Sequence, residues 1–295
     1  MCTETSCSAG SPTRTGLGRR ALLGAALATP AALLAPSALA RAAGTRAASL
    51  PRLLVFTRTA GFRHASIETA VQTIAGMGAA NGFGVDATED PTVFSRRSLA
   101  AYDAVAFVNT TGDVLEGTQR TALERFVRSG GGWAGVHSAA DTEYSNDFYT
   151  ELLAGGRFLA HPLQQPGLIV REDERHRSTK HLGETWLVPF EEFYSFTSSV
   201  RGRSRVLLSI DESTYLQDPN TSNLPTGPEN PLPTFPGVSG VMGDHPMAWT
   251  HRVGRGRSWY TALGHEIGMY YLPQFTDHLL GGLLTVLRHG ARNRR

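Results

Sequence analysis

From residue 50 onward, short apolar runs alternate with amphipathic stretches, and this alternation limits the fold more than any other feature of the chain. The runs at residues 53–56, 85–88 and 104–108 are typical of buried strands. Between them, Ile67, Val71 and Ile74 recur at helical spacing. Strands that alternate with helices predict an α/β domain with a mainly parallel central sheet.

Further elements follow from the same patterns. Ser66 is placed to cap the first helix, which Gly82 ends, and a second helix is predicted over residues 116–129. After Gly167, strand-like runs such as residues 168–170 and 206–210 follow without clear helices between them, which indicates an antiparallel insertion or extension of the sheet. Strand-like runs return at residues 247–250 and 259–262. Residues 217–240 contain six prolines and are predicted to form a long loop, and a last helix begins at about Pro273.

The first 40 residues have the features of an export signal. Arg19 and Arg20 precede an Ala/Leu-rich run that ends in a small-x-small cleavage site at residues 38–40, which resembles a twin-arginine signal. A membrane anchor is the competing interpretation, but Pro30 and Pro36 make the run weakly apolar for a span. We expect a signal at 1–40, a linker at 41–50, and a single domain at 51–290 that is secreted or held in the cell envelope, with no stable membrane anchor after cleavage.

Charge and cysteine content exclude several function classes. Residues 1–40 contain three of the 28 Lys and Arg residues and one of the 26 Asp and Glu residues, which leaves 25 of each afterwards. A neutral chain argues against a nucleic-acid-binding protein, which needs a basic face. Cys2 and Cys7 both precede residue 41, so the domain has neither a disulfide nor a catalytic thiol. The sequence carries no signal for an oligomeric state.

A histidine stands where many α/β enzymes carry their nucleophile. Gly130, Gly131 and Gly132 form a turn, residues 133–136 form a short buried strand, and His137 follows between small neighbours. This strand, sharp turn and helix hold one side chain up at the edge of a sheet. An imidazole there can bind a metal or move a proton, but it is a poor acyl-transfer nucleophile. The alternative is a core histidine that is hydrogen-bonded to backbone.

Polar side chains follow several of the predicted strands. In an open parallel sheet, ligands bind outside the carboxyl ends of the strands, so we expect these residues to share one site. They are Arg63 and His64, Thr111 and Asp113, His137 with Asp141, Glu143 and Tyr144, and His265 with Glu266.

A second group lies outside this scheme. A proline after His161 and after His245 restricts the preceding backbone, which would fix the direction of each imidazole for metal binding. Each of these histidines could also be a surface or capping residue. Glu192 and Tyr194 are candidates for orienting sugar hydroxyls.

Six segments of the chain, taken in order, resemble the ThuA-like (trehalose utilisation) family. These are residues 59–64, 109–115, 131–144, 211–215, 244–249 and 260–265. The resemblance implies a flavodoxin-like three-layer sandwich similar to class I glutamine amidotransferases. Those enzymes carry a cysteine at the elbow, whereas this chain carries His137, so glutamine hydrolysis is excluded. The proline-rich segment at 217–240 is longer than the family pattern.

The family is linked to the uptake and breakdown of trehalose and related disaccharides through 3-keto sugars. The resemblance therefore implies an enzyme that acts on a small-molecule carbohydrate, and a non-catalytic sugar-binding protein is the alternative. A divalent, zinc-like metal is a candidate cofactor, and no nucleotide cofactor is predicted. The predicted catalytic residues are His137, His265, Asp141 and Glu143; the substrate-binding residues are His64, Arg63, Thr111, Asp113, Tyr144, Glu192 and Tyr194; and the metal ligands are His137, His245, His265 and His161.

Overall fold

The structure is a computed structural model that describes residues 50–220 and 237–293, with side chains described as far as Arg288. The predicted export signal at 1–40 lies outside the described residues. So do most of the linker at 41–50 and the centre of the proline-rich segment. The flanks of that segment, 217–220 and 237–240, form neither helix nor strand, as predicted.

The described residues form strands and helices that alternate along the first half of the chain. The strands are β1 (Arg52–Phe56), β2 (Gly84–Thr88), β3 (Ala104–Val108), β4 (Gly132–Val136), β5 (Phe158–Ala160), β6 (Gln165–Arg171), β7 (Thr185–Glu191), β8 (Ser195–Phe196), β9 (Arg205–Ile210), β10 (Pro246–Val253) and β11 (Gly256–Thr261). The helices are α1 (Ile67–Asn81), α2 (Arg96–Leu99), α3 (Gly117–Arg128), α4 (Asp147–Leu152) and α5 (Pro273–Asn293).

Half of the nine-stranded sheet is parallel. Its order begins β2-β1-β3-β4-β11, and each neighbouring pair in this half runs in the same direction. This is the strand order of flavodoxin-like folds, in which all carboxyl ends meet at one edge. The α/β fold class predicted from the sequence is confirmed.

The other half of the sheet is the predicted antiparallel extension. Strands β10, β9, β6 and β7 continue the order from β11, and each pair of neighbours is antiparallel. Because four successive pairings are antiparallel, β7 runs in the same direction as β11. Strand β7 therefore also ends at the carboxyl edge of the parallel half. A separate two-stranded sheet pairs β5 with β8.

Helices cover both faces of the parallel half because side chains alternate between faces along each strand. On one face, Trp133 of β4 packs against Tyr149 of α4, with ring centroids 5.5 Å apart. On the other, a Cβ added at Gly132 would lie 2.5 Å from the Val286 carbonyl oxygen of α5. Glycine at position 132 therefore lets α5 approach the sheet closely. No helix within residues 50–220 or 237–293 has the length and apolar character of a membrane span.

Candidate functional site

The turn after β4 holds His137 in the geometry predicted for an elbow. The strand ends at Val136, His137 adopts a φ of 49°, and a 3₁₀ helix continues over His137–Asp141. The ring is fully buried, and its Nδ1 lies 2.7 Å from the Ala262 carbonyl oxygen. A carbonyl only accepts, so Nδ1 carries the hydrogen and Nε2 keeps a lone pair. The alternative interpretation, a core histidine that is hydrogen-bonded to backbone, therefore applies to Nδ1. Within the described part of the chain, Nε2 makes no bond to backbone, and it can accept a proton or bind a metal.

Four side chains converge at the carboxyl edge of the sheet: His64, His137, Glu192 and His265. Each offers one ligand atom, and these atoms all lie within 4.8 Å of one another. His265 Nδ1 is 3.2 Å from His137 Nε2 and 3.0 Å from Glu192 Oε2. The His64 ring lies edge-on to both other imidazoles, with centroids 4.8 and 5.0 Å away. We call these four residues the His/Glu cluster.

The donors of the His/Glu cluster fit a divalent cation of the zinc type. Imidazole nitrogen and carboxylate oxygen are common zinc ligands, and in a tetrahedral site such atoms lie about 3.4 Å apart, as follows from bonds of about 2.1 Å. The bond from His137 Nδ1 to a backbone carbonyl is the outer contact that orients metal-binding histidines. The residues present therefore match the chemistry of the predicted metal.

The charge states of the His/Glu cluster also suit a cation. Burial lowers the pKa of His64 to about 2 and that of His137 to about 4, so both rings are neutral at pH 7. Burial alone would raise the pKa of Glu192, but its hydrogen bonds with His137 and His265 hold it well below its usual value. Burial opposes protonation of His265, but the contact with Glu192 outweighs it and raises the pKa. His64 and His137 are therefore in the neutral form that binds metals, whereas His265 would have to release a proton to a bound cation.

Glu191 and Ser66 fix the backbone that carries His265. The fully buried Glu191 carboxyl accepts the N–H groups of Gly264 at 2.7 Å, His265 at 3.1 Å and Glu192 at 3.1 Å. Burial raises the pKa of Glu191 to about 8. The N–H groups act in the opposite direction, because they stabilise the carboxylate and so lower its pKa. Ser66 occupies the N-cap position of α1 as predicted, but its hydroxyl donates to the His265 carbonyl at 2.6 Å and makes no hydrogen bond to the helix.

Tyr194 and His161 lie beside the His/Glu cluster. The buried Tyr194 hydroxyl is 2.9 Å from His137 Nε2, and the two rings pack with centroids 4.4 Å apart. The Tyr194 prediction thus places a polar group at the site. His161 Nδ1 lies 3.0 Å from its neighbour's carbonyl oxygen at Pro162 and 3.7 Å from Glu192 Oε1. His161 therefore borders the site without joining the four ligand groups.

His245 does not reach the His/Glu cluster, which corrects its predicted role as a metal ligand. Its Nε2 lies 2.8 Å from the Tyr194 carbonyl oxygen, and its Nδ1 lies 2.9 Å from Glu212 Oε1 and 3.1 Å from the Tyr215 hydroxyl. Both ring nitrogens are thus occupied by protein atoms. The histidine supports the segment of Tyr194 from behind.

Glu143 has a structural role, which corrects its predicted catalytic role. The carboxylate is fully buried and accepts the N–H groups of Val114 at 2.8 Å and Leu115 at 2.7 Å. Arg120 completes its contacts at 2.6 Å. The same arginine also pairs with the half-exposed Asp113 at 3.4 Å, so Asp113 is engaged outside the His/Glu cluster.

Arg63 and Thr111 also have structural partners instead of pointing into the His/Glu cluster. The Arg63 guanidinium pairs with Glu68 at 2.6 Å and Glu89 at 2.7 Å on the surface. The Thr111 hydroxyl donates to the Phe62 carbonyl at 2.8 Å and stabilises the loop that precedes His64. The substrate-binding roles of both residues stay predictions.

Asp141 and Tyr144 lie in the segment that follows the elbow. Burial raises the pKa of Asp141 to about 7; Arg157 opposes this rise and Glu192 adds to it. Asp141 is thus within electrostatic reach of the His/Glu cluster and titrates near neutral pH. Tyr144 is 54 % exposed, which leaves aromatic surface free beside Asp141.

Sequence reasoning assigns no role to three residues that shape the site. Glu191 belongs with Glu192 and Tyr194 to the second polar group of the sequence, but nothing in the sequence distinguishes its burial from the exposure expected of a glutamate. Gln164 contacts the Nε2 atom of His265, and Arg157 is a buried arginine near Asp141. The run Gln164, Gln165 and Pro166 is a polar signal before a strand that could have been weighed.

Comparisons with known proteins support one family. Residues 52–284 match the family model ThuA, described as trehalose utilisation. No curated protein sequence matches the chain.

Solved structures with a similar fold include two ThuA-like proteins. One from Bacteroides uniformis ATCC 8492 has a TM-score of 0.62 and 24% identity, over 80% of this chain and 91% of that chain. One from Parabacteroides merdae ATCC 43184 has a TM-score of 0.60 and 17% identity, over 81% and 90%. A glutamine amidotransferase from Thermotoga maritima also aligns, with a TM-score of 0.41 and 9% identity over 83% and 97%.

Proposed function

The chain belongs to the ThuA (trehalose utilisation) family, and from this premise we propose that it is a metal-assisted enzyme that acts on keto-glycosides or related sugars of the trehalose type. One observation carries the proposal: His64, His137, Glu192 and His265 offer four ligand atoms within 4.8 Å at the edge where α/β sheets bind ligands. Titratable groups gathered at such an edge favour catalysis over simple binding.

The chemistry follows from the acidity of carbon next to a carbonyl group. A divalent cation held by the His/Glu cluster would supply Lewis-acid polarisation of a keto-sugar carbonyl. Asp141 is the group that moves the proton: its carboxylate takes the proton from the carbon beside the carbonyl, and the electron pair of the broken C–H bond moves towards the carbonyl oxygen. Its pKa of about 7 suits a base at neutral pH. Such proton transfer starts elimination or isomerisation without a nucleophilic side chain.

The remaining residues of the site position these groups. Glu191 and Ser66 fix the backbone of His265, and the Ala262 carbonyl orients the ring of His137. The Tyr194 hydroxyl lies 2.9 Å from His137 Nε2 and closes one side of the His/Glu cluster; with a cation on Nε2, this hydroxyl would be free to donate to substrate. We therefore assign Asp141 the catalytic role, and we assign His64, His137, Glu192 and His265 the role of ligands.

Metal content and turnover test the proposal together. The wild type, His137→Ala and the control His181→Ala are purified without chelator, and their metal is measured by elemental analysis. His181 is a suitable control because its ring bonds to the Gln274 carbonyl on an exposed surface. We expect about one divalent ion per chain in the wild type and the control, and loss of metal and of turnover on 3-keto-trehalose in His137→Ala.

Two other results would decide against the proposal. A wild type without metal and without turnover on oxidised disaccharides, but with sugar affinity that His137→Ala retains, would support the non-catalytic sugar-binding protein. Release of a chromogenic leaving group from unoxidised glycosides at a similar rate would support an ordinary glycoside or ester hydrolase.

Export through a twin-arginine signal is part of the same proposal. The pair Arg19 and Arg20 and the Ala/Leu-rich run after it support export. Twin-arginine export carries folded proteins, so a metal could be inserted before secretion. Substitution of both arginines by lysine is expected to keep the protein inside the cell, as measured by cell fractionation. Unchanged export of that variant would contradict this part of the proposal.

A further inference from the structure

Arg157 is a buried cation that has no ion-pair partner at contact distance within residues 50–220 and 237–293. The residue, which directly precedes β5, is only 7% exposed. Its Nη1 donates to the Glu143 carbonyl at 3.0 Å and to the Thr150 hydroxyl at 3.4 Å. Its Nη2 is buried and has no hydrogen-bond partner among the described residues. The carboxylates of Asp113, Asp141 and Glu143 act on the guanidinium only at longer range.

Such an arrangement costs stability unless a ligand completes it. A buried charge loses its hydration, and the loss is compensated only by close ion pairs and complete hydrogen bonding. Most buried polar atoms in folded proteins have a partner, so an unpartnered donor on a charged group needs an explanation. Two hydrogen bonds to neutral oxygens leave this guanidinium incompletely satisfied.

The surroundings of Arg157 connect it to the candidate active site. Its guanidinium carbon lies 4.7 Å from the ring centroid of Tyr144, a side chain that is 54% exposed. Asp141 is within electrostatic reach of both Arg157 and Glu192. Arg157 thus contacts the segment that follows His137, at the Glu143 carbonyl and the Tyr144 ring, and Asp141 belongs to the same segment.

We propose that Arg157 and Tyr144 form a sugar-binding subsite beside Asp141, in which Arg157 Nη2 donates to an uncharged oxygen of a sugar ring and Tyr144 packs against its C–H face. This subsite rests on the proposed function and names its specificity determinant. Aromatic side chains pack well against apolar C–H surfaces, and a hydroxyl or carbonyl oxygen accepts from a guanidinium. A sugar ring bound there would lie next to the base, Asp141.

The local charge favours a neutral ligand over an anionic one. The carboxylates of Asp113, Asp141 and Glu143 all act on Arg157, whereas Arg120 is the cation paired with two of them. Negative groups thus outnumber positive groups around the subsite. A carboxylate or phosphate on the sugar would be repelled by these negative groups, so a charged sugar should bind more weakly than a neutral one.

Calorimetric titration with trehalose tests the subsite in the full chain. Arg157→Lys is expected to weaken trehalose binding about tenfold or more, which is typical for loss of a hydrogen bond to a charged group. Tyr144→Ala is expected to weaken it more than about twofold, because the sugar loses the aromatic surface that it packs against. Tyr144→Phe keeps the ring and should bind within about twofold of the wild type. Because Tyr144 is exposed, its variants are expected to fold even if changes at Arg157 disturb the core.

A control variant and two readouts separate the possible outcomes. Arg128→Gln is matched because its guanidinium also lies over an aromatic ring, that of Phe148 at 5.0 Å, but it pairs with Glu124 and Glu151 at the surface. It should bind trehalose normally. Metal content measured on the same samples should stay at the wild-type level in every variant, so failure of the metal-enzyme proposal would be visible separately.

Three results would overturn the subsite. The first is trehalose affinity in Arg157→Lys and Tyr144→Ala within twofold of the wild type, with all proteins folded by thermal denaturation. The second is absence of any binding of trehalose or glucose to the wild type. The third is tighter binding of glucuronate than of glucose with the same dependence on Arg157, since this would identify an anion site.

Discussion

Replacement of Glu191 tests whether one buried carboxylate holds two ligand segments together. Its Oε2 accepts Gly264 N–H at 2.7 Å and His265 N–H at 3.3 Å, and its Oε1 accepts His265 N–H and Glu192 N–H, each at 3.1 Å. In Glu191→Gln one oxygen becomes an NH₂ group that cannot accept. Whichever way the amide turns, His265 keeps one acceptor, and either Gly264 or Glu192 loses its own.

The cost follows from the number of N–H groups left without an acceptor. One unpaired buried N–H costs about 1–3 kcal/mol, so Glu191→Gln should lose about that much unfolding free energy. Glu191→Ala leaves three such groups and should lose at least about 3 kcal/mol. Because the same bonds fix the backbone of Glu192 and His265, we expect zinc affinity to fall about 10–100-fold in Glu191→Gln.

Two assays at pH 8.5, above the pKa of Glu191, measure these effects. Urea unfolding of the metal-free protein gives the stability change, and a chelator-buffered zinc series gives the affinity. Glu184→Gln is the matched control, since Glu184 is exposed and directly precedes the first residue of β7. If Glu191→Gln unfolds and binds zinc like the wild type and the control, the carboxylate does not position the His/Glu cluster and the reasoning is refuted.

Three further predictions concern other parts of the molecule. Burial lowers the pKa of His278 to about 3 from 6.5, so below pH 6.5 the unfolded chain binds one proton more at this residue than the folded chain does, and stability falls. This residue should cost about 2 kcal/mol of unfolding free energy at pH 5 relative to pH 7, and that part of the pH dependence should be missing from His278→Gln in urea titrations. An unchanged difference between the two pH values would contradict the prediction. If Asp141 is the base, turnover rises with pH through about 7 and this rise disappears in Asp141→Asn; a variant with the wild-type pH profile would assign the base elsewhere. A Cβ at Gly282 would overlap the Trp259 ring, whereas a Cβ at Gly76 of α1 would meet no described atom within 4 Å. Gly282→Ala should therefore lower the melting temperature, and Gly76→Ala should raise it. If both variants shift the melting temperature in the same direction, the packing argument is contradicted.

The sequence predicts the parallel half of the sheet well because its strands are continuous apolar runs. Residues 104–108 form β3 as predicted, and α1 ends at Gly82, whose φ of 72° is the left-handed conformation that glycine favours. Strand β7 is missed because its residues alternate between buried and exposed, and Pro189 interrupts the run. Periodicity detects continuous burial more readily than a short alternating strand.

The candidate site is predicted in part for a related reason. His64, His137 and His265 each follow a strand of the parallel half, and the strand order alone places them at one edge. Glu192 follows β7, whose position at the far end of the sheet depends on four antiparallel pairings and a bulge between Gln165 and Gly167. Spacing in the chain does not encode that geometry. His245 is predicted from a local signal, the proline that follows it. Its ring contacts Tyr194 and Glu212 instead of the His/Glu cluster, so the local signal does not give the direction of the side chain.

The four residues of the His/Glu cluster come from position 64 near the start of the domain, from 137 and 192 within it, and from 265 shortly before the last helix. No contiguous fragment that stops before β11 holds the complete set. A cation bound as we propose would therefore reach full affinity only after synthesis of the domain is complete and both halves of its sheet have formed. Acquisition of the cation would then report the end of folding, and a truncated or misfolded chain would remain empty.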